Sequence, residues 1–291
     1  MRLKRGLMAV YFTLLIITIL TGCYTPRYVY SPAAQNVPLL TEKADSKLGV
    51  LYSTNGGGIR TENEKEYRKF GRGVDIHAAY AISDRFALQA SFYQRSEQNG
   101  GDFGFYDSGY SIIKYKRKLA EAGFGYYTKI EPTGKLFFQG FAGMGFGKFS
   151  FDDKGKDDVG VNFERYHQAN IIKWYIQPAI MYQNEKRTSV SLSSRFSFIH
   201  YGNIKTDYTQ TELENYELAV LGKSPAVFWE PSFLHSFGLK KMPFVRLEYQ
   251  FGFSILMSSR FVDARSLIFS AGIQADIRNL LKKKPAPAKE K

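Results

Sequence analysis

Val245 to Met257 reads V-R-L-E-Y-Q-F-G-F-S-I-L-M. Val245, Leu247, Tyr249, Phe251, Phe253, Ile255 and Met257 occupy every second position, with Arg246, Glu248, Gln250, Gly252 and Ser254 between them. Side chains alternate across a strand, so this stretch presents one apolar face and one polar, charged face. Its length exceeds the ~9–11 residues with which a tilted strand crosses a bilayer. A membrane-crossing strand is the reading it asks for.

Working outward, the same period recurs. Leu267, Phe269, Ala271, Ile273, Ala275 and Ile277 oppose Ser270, Gly272, Gln274 and Asp276. Phe86, Leu88, Ala90 and Phe92 oppose Gln89, Ser91 and Tyr93, and Ile172, Trp174, Ile176, Ile180 and Tyr182 oppose Lys173, Gln177 and Gln183. Ten such segments are expected: 47–53, 72–82, 86–95, 110–129, 135–151, 164–183, 187–204, 225–237, 243–257 and 265–277. The composition agrees: aromatics are 16% of the chain, with 24 Phe and 20 Tyr, while mean hydropathy is −0.29. The expected fold is therefore all-β, an antiparallel up-and-down transmembrane barrel of about ten strands (8–12).

A lysine or arginine facing lipid at midplane costs ~2–4 kcal/mol. Lys173, Arg195 and Arg246 are thus expected to point inward, where Asp75, Glu230, Glu248 and Asp276 complete a lumen charge set. Because eight strands enclose only their own side chains, ten strands filled by long charged ones imply a packed, ion-paired interior or a narrow conducting path. The packed interior is favoured. A soluble lipocalin-like barrel, with the apolar face of 245–257 turned inward, is the alternative fold.

The links between segments carry a second signal. Those at 83–85, 130–134, 184–186 and 238–242 are short, whereas 54–71, 96–109, 152–163 and 205–224 are long and rich in Gly, Asp, Asn and Lys. Outer-membrane barrels have short periplasmic turns and longer outer loops. With ten strands, both chain termini are then expected on the periplasmic side. Within 205–224, Thr211 and Glu214 have capping-box spacing. Leu213, Tyr216, Val220 and Leu221 would line one face of a helix ending at Gly222, folded down over the lumen or offered to a partner.

Residues 1–22 read as a signal peptide: a basic head with Arg2, Lys4 and Arg5, then the apolar run Leu7 to Leu20, too short to span a membrane as a helix. Leu20-Thr21-Gly22-Cys23 resembles the lipobox of bacterial lipoproteins. That resemblance implies removal of 1–22, lipidation of Cys23 (the single cysteine) and anchoring by acyl chains. Residues 23–46, with prolines at 26, 32 and 38, read as an extended tether ahead of a barrel over 47–277. Residues 278–291, with Lys282, Lys283, Lys284, Lys289 and Lys291, read as a basic, solvated periplasmic tail. Across 47–277 the chain is similar to the small outer-membrane barrels of the OmpA and OmpX type, in the Tyr-rich lipoprotein variants of Bacteroidota.

No catalytic or metal pattern emerges. His77, His167, His200 and His235 lie without ligand spacing, and no nucleophile or phosphate-loop motif is found. Ser194 and His200 share the apolar parity while Ser197 takes the other, which argues against a catalytic grouping. A non-enzymatic protein without cofactor is expected. The +13 net charge is dispersed and sits in an exported chain, so a nucleic-acid partner is not expected. Lys114, Lys116 and Lys118 share the outward parity of strand four toward its outer-loop end, where they would meet lipopolysaccharide phosphates or simply be solvated.

Overall fold

The computed structural model describes residues 25–62, 65–103, 109–157, 159–184, 188–242, 244–258 and 262–278. Its strands are β1 (Ser46–Glu62), β2 (Lys65–Ala81), β3 (Phe86–Phe103), β4 (Gly109–Lys129), β5 (Leu136–Lys156), β6 (Asn162–Asn184), β7 (Thr188–Thr206), β8 (Ala226–Gly238), β9 (Val245–Phe253), β10 (Ile255–Leu256) and β11 (Leu267–Ala275). Each is antiparallel to its neighbours, β8 pairs with β9, and β11 closes the ring against β1. The two-residue β10 continues β9 along β8, so the ring has ten staves. The break between them lies opposite Pro231 of β8, which has no N–H to donate to the ladder.

The parity read from the sequence sorts the two faces. Leu48, Val50, Tyr52, Leu88, Phe124, Trp174, Ile176, Phe251 and Ile273 are exposed, while Lys173 and Arg195 are 0% and 1% exposed. A water-soluble barrel buries its apolar face, and this one does the reverse. The lipocalin-like alternative is therefore overturned.

The apolar belt ends at one register row. Phe92, Ala120, Phe146, Ile172 and His200 are cross-strand partners on the outer wall. Two positions further toward the long-loop end, Gln94, Lys118, Lys148, Asn170 and Gly202 form the next outward row. Beyond it the sheet continues as polar hairpins. This corrects the sequence reading of 54–71, 96–109 and 152–163 as loops. β1 and β2 reach Glu62 and Lys65, β3 runs to Phe103, and β5 and β6 extend to Lys156 and from Asn162. Outside the membrane an alternating strand has no apolar face to announce it, so the sequence resembles a loop.

Among the described residues, the link between β7 and β8 is the one that leaves the sheet for a helix, α1 (Gln210–Asn215), shorter than expected and starting earlier. Its capping box is Thr209 with Glu212, not Thr211 with Glu214. Glu212 N donates to Thr209 Oγ1 at 3.3 Å, and Thr209 N to Glu212 Oε2 at 2.7 Å. Both pairs have the right spacing. Thr209 wins because it places Tyr208 and Leu213 at the two positions of a hydrophobic staple, where the other choice would put Gln210. The helix ends at Tyr216, and Gly222 instead takes φ +78° in a later turn.

Candidate functional site: the filled lumen

The lumen is occupied by the chain's own amino-terminal segment. Thr25, Arg27, Val29, Tyr30, Ser31, Ala33, Ala34, Gln35, Asn36, Val37 and Leu40 are all buried inside the barrel. The stretch read as a tether is a plug. It forms no helix, as its prolines led one to expect, so nearly all its backbone groups need partners from the wall.

At the short-turn end, Leu40 packs with Ala81, Ala87, Tyr127, Phe141 and Tyr175. Tyr175 lies across Gly123 and Gly143, where any Cβ would run into its ring or hydroxyl. Lys47 pairs with Glu248 at 3.0 Å and reaches Val37 O, while Arg246 Nε donates to Ser236 Oγ at 3.1 Å.

At mid-height the wall reads the plug's amides. Gln35 N donates to Gln250 Oε1 at 2.6 Å, and Gln250 Nε2 donates back to Gln35 O at 3.0 Å. Asn36 Nδ2 donates to the carbonyls of Ala78 and Ala90, and Gln177 Nε2 donates to Asn36 O at 2.8 Å. Ala34 N donates to Asp75 Oδ2, while His77 Nε2 meets Ala34 O at 3.1 Å. Asp75 in turn pairs with Arg95 at 3.0 Å and accepts from Ser53.

Beside this runs the central charge cluster. Glu121 pairs with Lys173 at 3.0 Å and with Arg195 at 3.3 Å, and Lys173 lies 3.8 Å from Glu230. Tyr30 Oη donates to Glu230 Oε1 at 2.7 Å, and Lys173 Nζ donates to Tyr30 Oη at 3.2 Å. Unpaired, these charges would each cost several kcal/mol of desolvation. Their alternating signs make the filled interior tolerable.

Toward the long-loop end, Arg117 donates to the carbonyls of Tyr28 and Val29 and faces Glu97 at 3.6 Å. Arg27 pairs with Asp153 at 2.6 Å, and its guanidinium lies 3.5 Å from the centre of the Tyr216 ring. Tyr208 Oη donates to the same Asp153 at 2.6 Å. Leu218 and Leu221 are buried against this end, so the α1 loop folds down over the mouth, as one of the two sequence readings had it.

Of the seven residues expected in the lumen, Asp75, Lys173, Arg195, Glu230, Arg246 and Glu248 are buried there. Asp276 is the correction. It stands one residue past β11 at the short-turn rim, half-buried, where the alternation that placed it inside has ended. Sequence reasoning missed Arg95, Glu97, Arg117, Glu121 and Asp153. Arg117 and Glu121 had a usable signal, since they take the parity opposite to Lys114, Lys116 and Lys118 on the same strand. Lys47, opposite Leu48, Val50 and Tyr52, and Arg95, in step with Gln89, Ser91 and Tyr93, had the same signal, and Arg27 had none.

Lys114, Lys116 and Lys118 are exposed on the outer wall, as expected. Lys118 is also the direct cross-strand partner of Lys148. Ser194 Oγ accepts from Trp229 Nε1 on the lipid face while Ser197 bonds Glu230 inside, so the rejected catalytic grouping is indeed split by the wall. No group of His, Cys, Asp and Glu suited to a metal is found among the described residues. Cys23 and the basic tail from 279 onward lie outside the described residues.

This is a ten-stave β-barrel of the outer-membrane type.

No protein-family model matches the chain, and no curated protein matches it. Among solved structures it is similar to the translocator domain of the autotransporter NalP from Neisseria meningitidis, at 9% identity and a TM-score of 0.45, covering 80% of this chain and 88% of that one. It is also similar to an outer membrane channel from Pseudomonas putida F1, at 10% identity, TM-score 0.40, covering 83% and 99%. The outer membrane protease OmpT from Escherichia coli gives 9% identity, TM-score 0.39, covering 80% and 95%. These values are too low to bear on activity. The barrel reading rests on its own register and on its inverted polarity.

Proposed function

We propose that this protein is a non-enzymatic, lipid-anchored outer-membrane barrel of Bacteroidota type, closed by its own plug, that acts through its long-loop end. The observation that carries this is the lumen itself. Thr25 to Leu40 fills it, and the buried carboxylates Asp75, Glu121, Asp153, Glu230 and Glu248 each meet a cation there. A barrel built this way leaves its long hairpins and the α1 loop as the surface on which to act.

The acyl anchor rests on the lipobox resemblance at Leu20 to Cys23. Lipopolysaccharide, or another phosphate-bearing outer-leaflet lipid, is the partner we assign to the outer wall. Lys118 and Lys148 stand one row above the apolar belt and Lys116 one row further out, where such headgroups lie. The residues opposite them, Ser96, Gln94 and Ser150, carry no negative charge.

Planar-bilayer conductance of the refolded mature protein tests the plugged reading. The full chain is expected to insert as a heat-modifiable barrel with no steady conductance, and deletion of residues 26–40 is expected to open it. Steady conductance of the full chain, altered by Arg246→Ala, would instead make the protein a narrow channel. That second reading requires the plug to leave the lumen.

A further inference from the structure

The plug has a direction, and the direction carries a consequence. Tyr30 forms a parallel bridge with Ala264, and from Ala264 the chain descends through β11 toward the short-turn end. Tyr30 onward therefore descends as well. The contacts agree at every level: Asn99 Nδ2 and Tyr115 Oη donate to Pro26 O, Gln35 meets Gln250 at mid-height, and Lys43 N donates to Asp84 in the turn between β2 and β3. Ala44 N then bonds Ala81 O, and β1 begins at Ser46 beside that turn. Arg278, the last described residue, bonds Glu42 and Asp45 at the short-turn end. The described chain starts at the mouth of the long loops.

We infer that the barrel is threaded by its own chain, so that the stretch leading into Thr25 emerges on the outer face of the membrane. This rests on the reading that the long-loop end faces outward. Two residues reach at most about 7 Å, so Cys23 cannot return to the short-turn end once Thr25 is seated at the opposite one. Any lipid on that cysteine belongs to the outer leaflet, and the anchor is a surface feature rather than a periplasmic leash. Three contacts clamp the exit: Arg27 to Asp153, Arg27 against the Tyr216 ring, and the Arg27 amide to Asp263 Oδ2 at 3.1 Å. They join the segment to β5, to the α1 loop and to the strand connection before β11. The terminus is gripped where it emerges.

The test places a protease site between Tyr24 and Thr25. Control sites go into the turn at 157–161 on the long-loop side and into the turn at 131–134 on the short-turn side. Intact cells are treated with protease, and heat-modifiability on gels confirms the folded barrel. Cleavage at the first two sites with protection of the third is expected. Cleavage at 157–161 with protection before Thr25 would overturn the threading while leaving the orientation intact. Cleavage at 131–134 with protection at 157–161 would overturn the orientation, and with it the outward display. A second measurement avoids the insertion. Tyr30→Cys with Ala264→Cys should cross-link in the folded barrel, and a folded barrel without that disulfide would overturn the threaded path.

Discussion

Tyr30 and Glu230 lie 200 positions apart in the chain and meet inside the barrel, the tyrosine hydroxyl donating to the carboxylate at 2.7 Å. This is where the plug enters the wall's charge network, because the same hydroxyl accepts from Lys173. Tyr30→Phe keeps the ring stacked on Phe228, 4.5 Å between centroids, and removes only the two hydrogen bonds. The expected outcome is a folded, non-conducting barrel destabilised by about 1–3 kcal/mol, seen as a lower denaturant midpoint on heat-modifiability gels. A conducting Y30F barrel would mean that this hydroxyl alone seats the plug.

Glu121 is the hub between Lys173 and Arg195. Removing it leaves two buried cations with Glu230 as their remaining carboxylate nearby. Breaking a buried ion pair from one side typically costs ~3–5 kcal/mol, so Glu121→Ala is expected to be the most damaging lumen substitution, ahead of Arg246→Ala. Arg246 donates to the Ser189 and Ser236 hydroxyls and to Ser236 O at the short-turn end, and those two hydroxyls also bond each other. Equilibrium unfolding of the two variants in urea and lipid gives the ranking directly, and equal midpoints would refute it.

The α1 loop should respond to acid. Burial works to raise the Glu212 carboxyl, but hydrogen bonds from Thr209 and the Arg165 guanidinium outweigh it and hold the group below its ordinary value of 4.5. A carboxyl depressed in the folded state contributes stability above its unfolded value and loses it as pH falls through the folded one. The loop is therefore expected to stay closed at neutral pH and to loosen below about pH 4.5. Limited proteolysis across 205–224 by an acid-tolerant protease reads this out. Glu212→Gln should lose most of the pH dependence, and Thr209→Ala should weaken the cap by about 1 kcal/mol at neutral pH.

The sequence disclosed what the bilayer imposes. Each of the ten expected staves is present, and Lys173, Arg195 and Arg246 point inward, because a misplaced charge in lipid is costly enough to leave a clean period-2 record. Two things escaped. The hairpin extensions past Ser53, Arg95 and Phe151 cross no lipid, so their alternation carries no apolar mark. The plug escaped for a different reason. Its residues are matched to partners such as Gln250, Gln177 and Arg117, far away in the chain, and Pro26, Pro32 and Pro38 look the same in a solvated tether as in a filled lumen. Six of the seven lumen residues were legible from parity, and the segment they hold was not.

Lys118 and Lys148 are direct cross-strand partners of like charge, a pairing that destabilises a sheet unless an anion bridges it. Lys116 stands one outward position further along the same strand, beside Ser96 and Ser150. If phosphate-bearing lipid supplies the anion, neutralising the site has opposite effects in two media. Lys118→Gln with Lys148→Gln should leave stability unchanged or raise it by a few tenths of a kcal/mol in neutral detergent, where only the repulsion is lost. The same variant should lose the stabilisation that added lipopolysaccharide gives the wild type. Thermal gel-shift midpoints with and without lipopolysaccharide, at low and high salt, separate the terms, since a phosphate contact at an exposed rim weakens as salt rises. An equal gain from lipopolysaccharide in wild type and variant would show that these lysines are merely solvated.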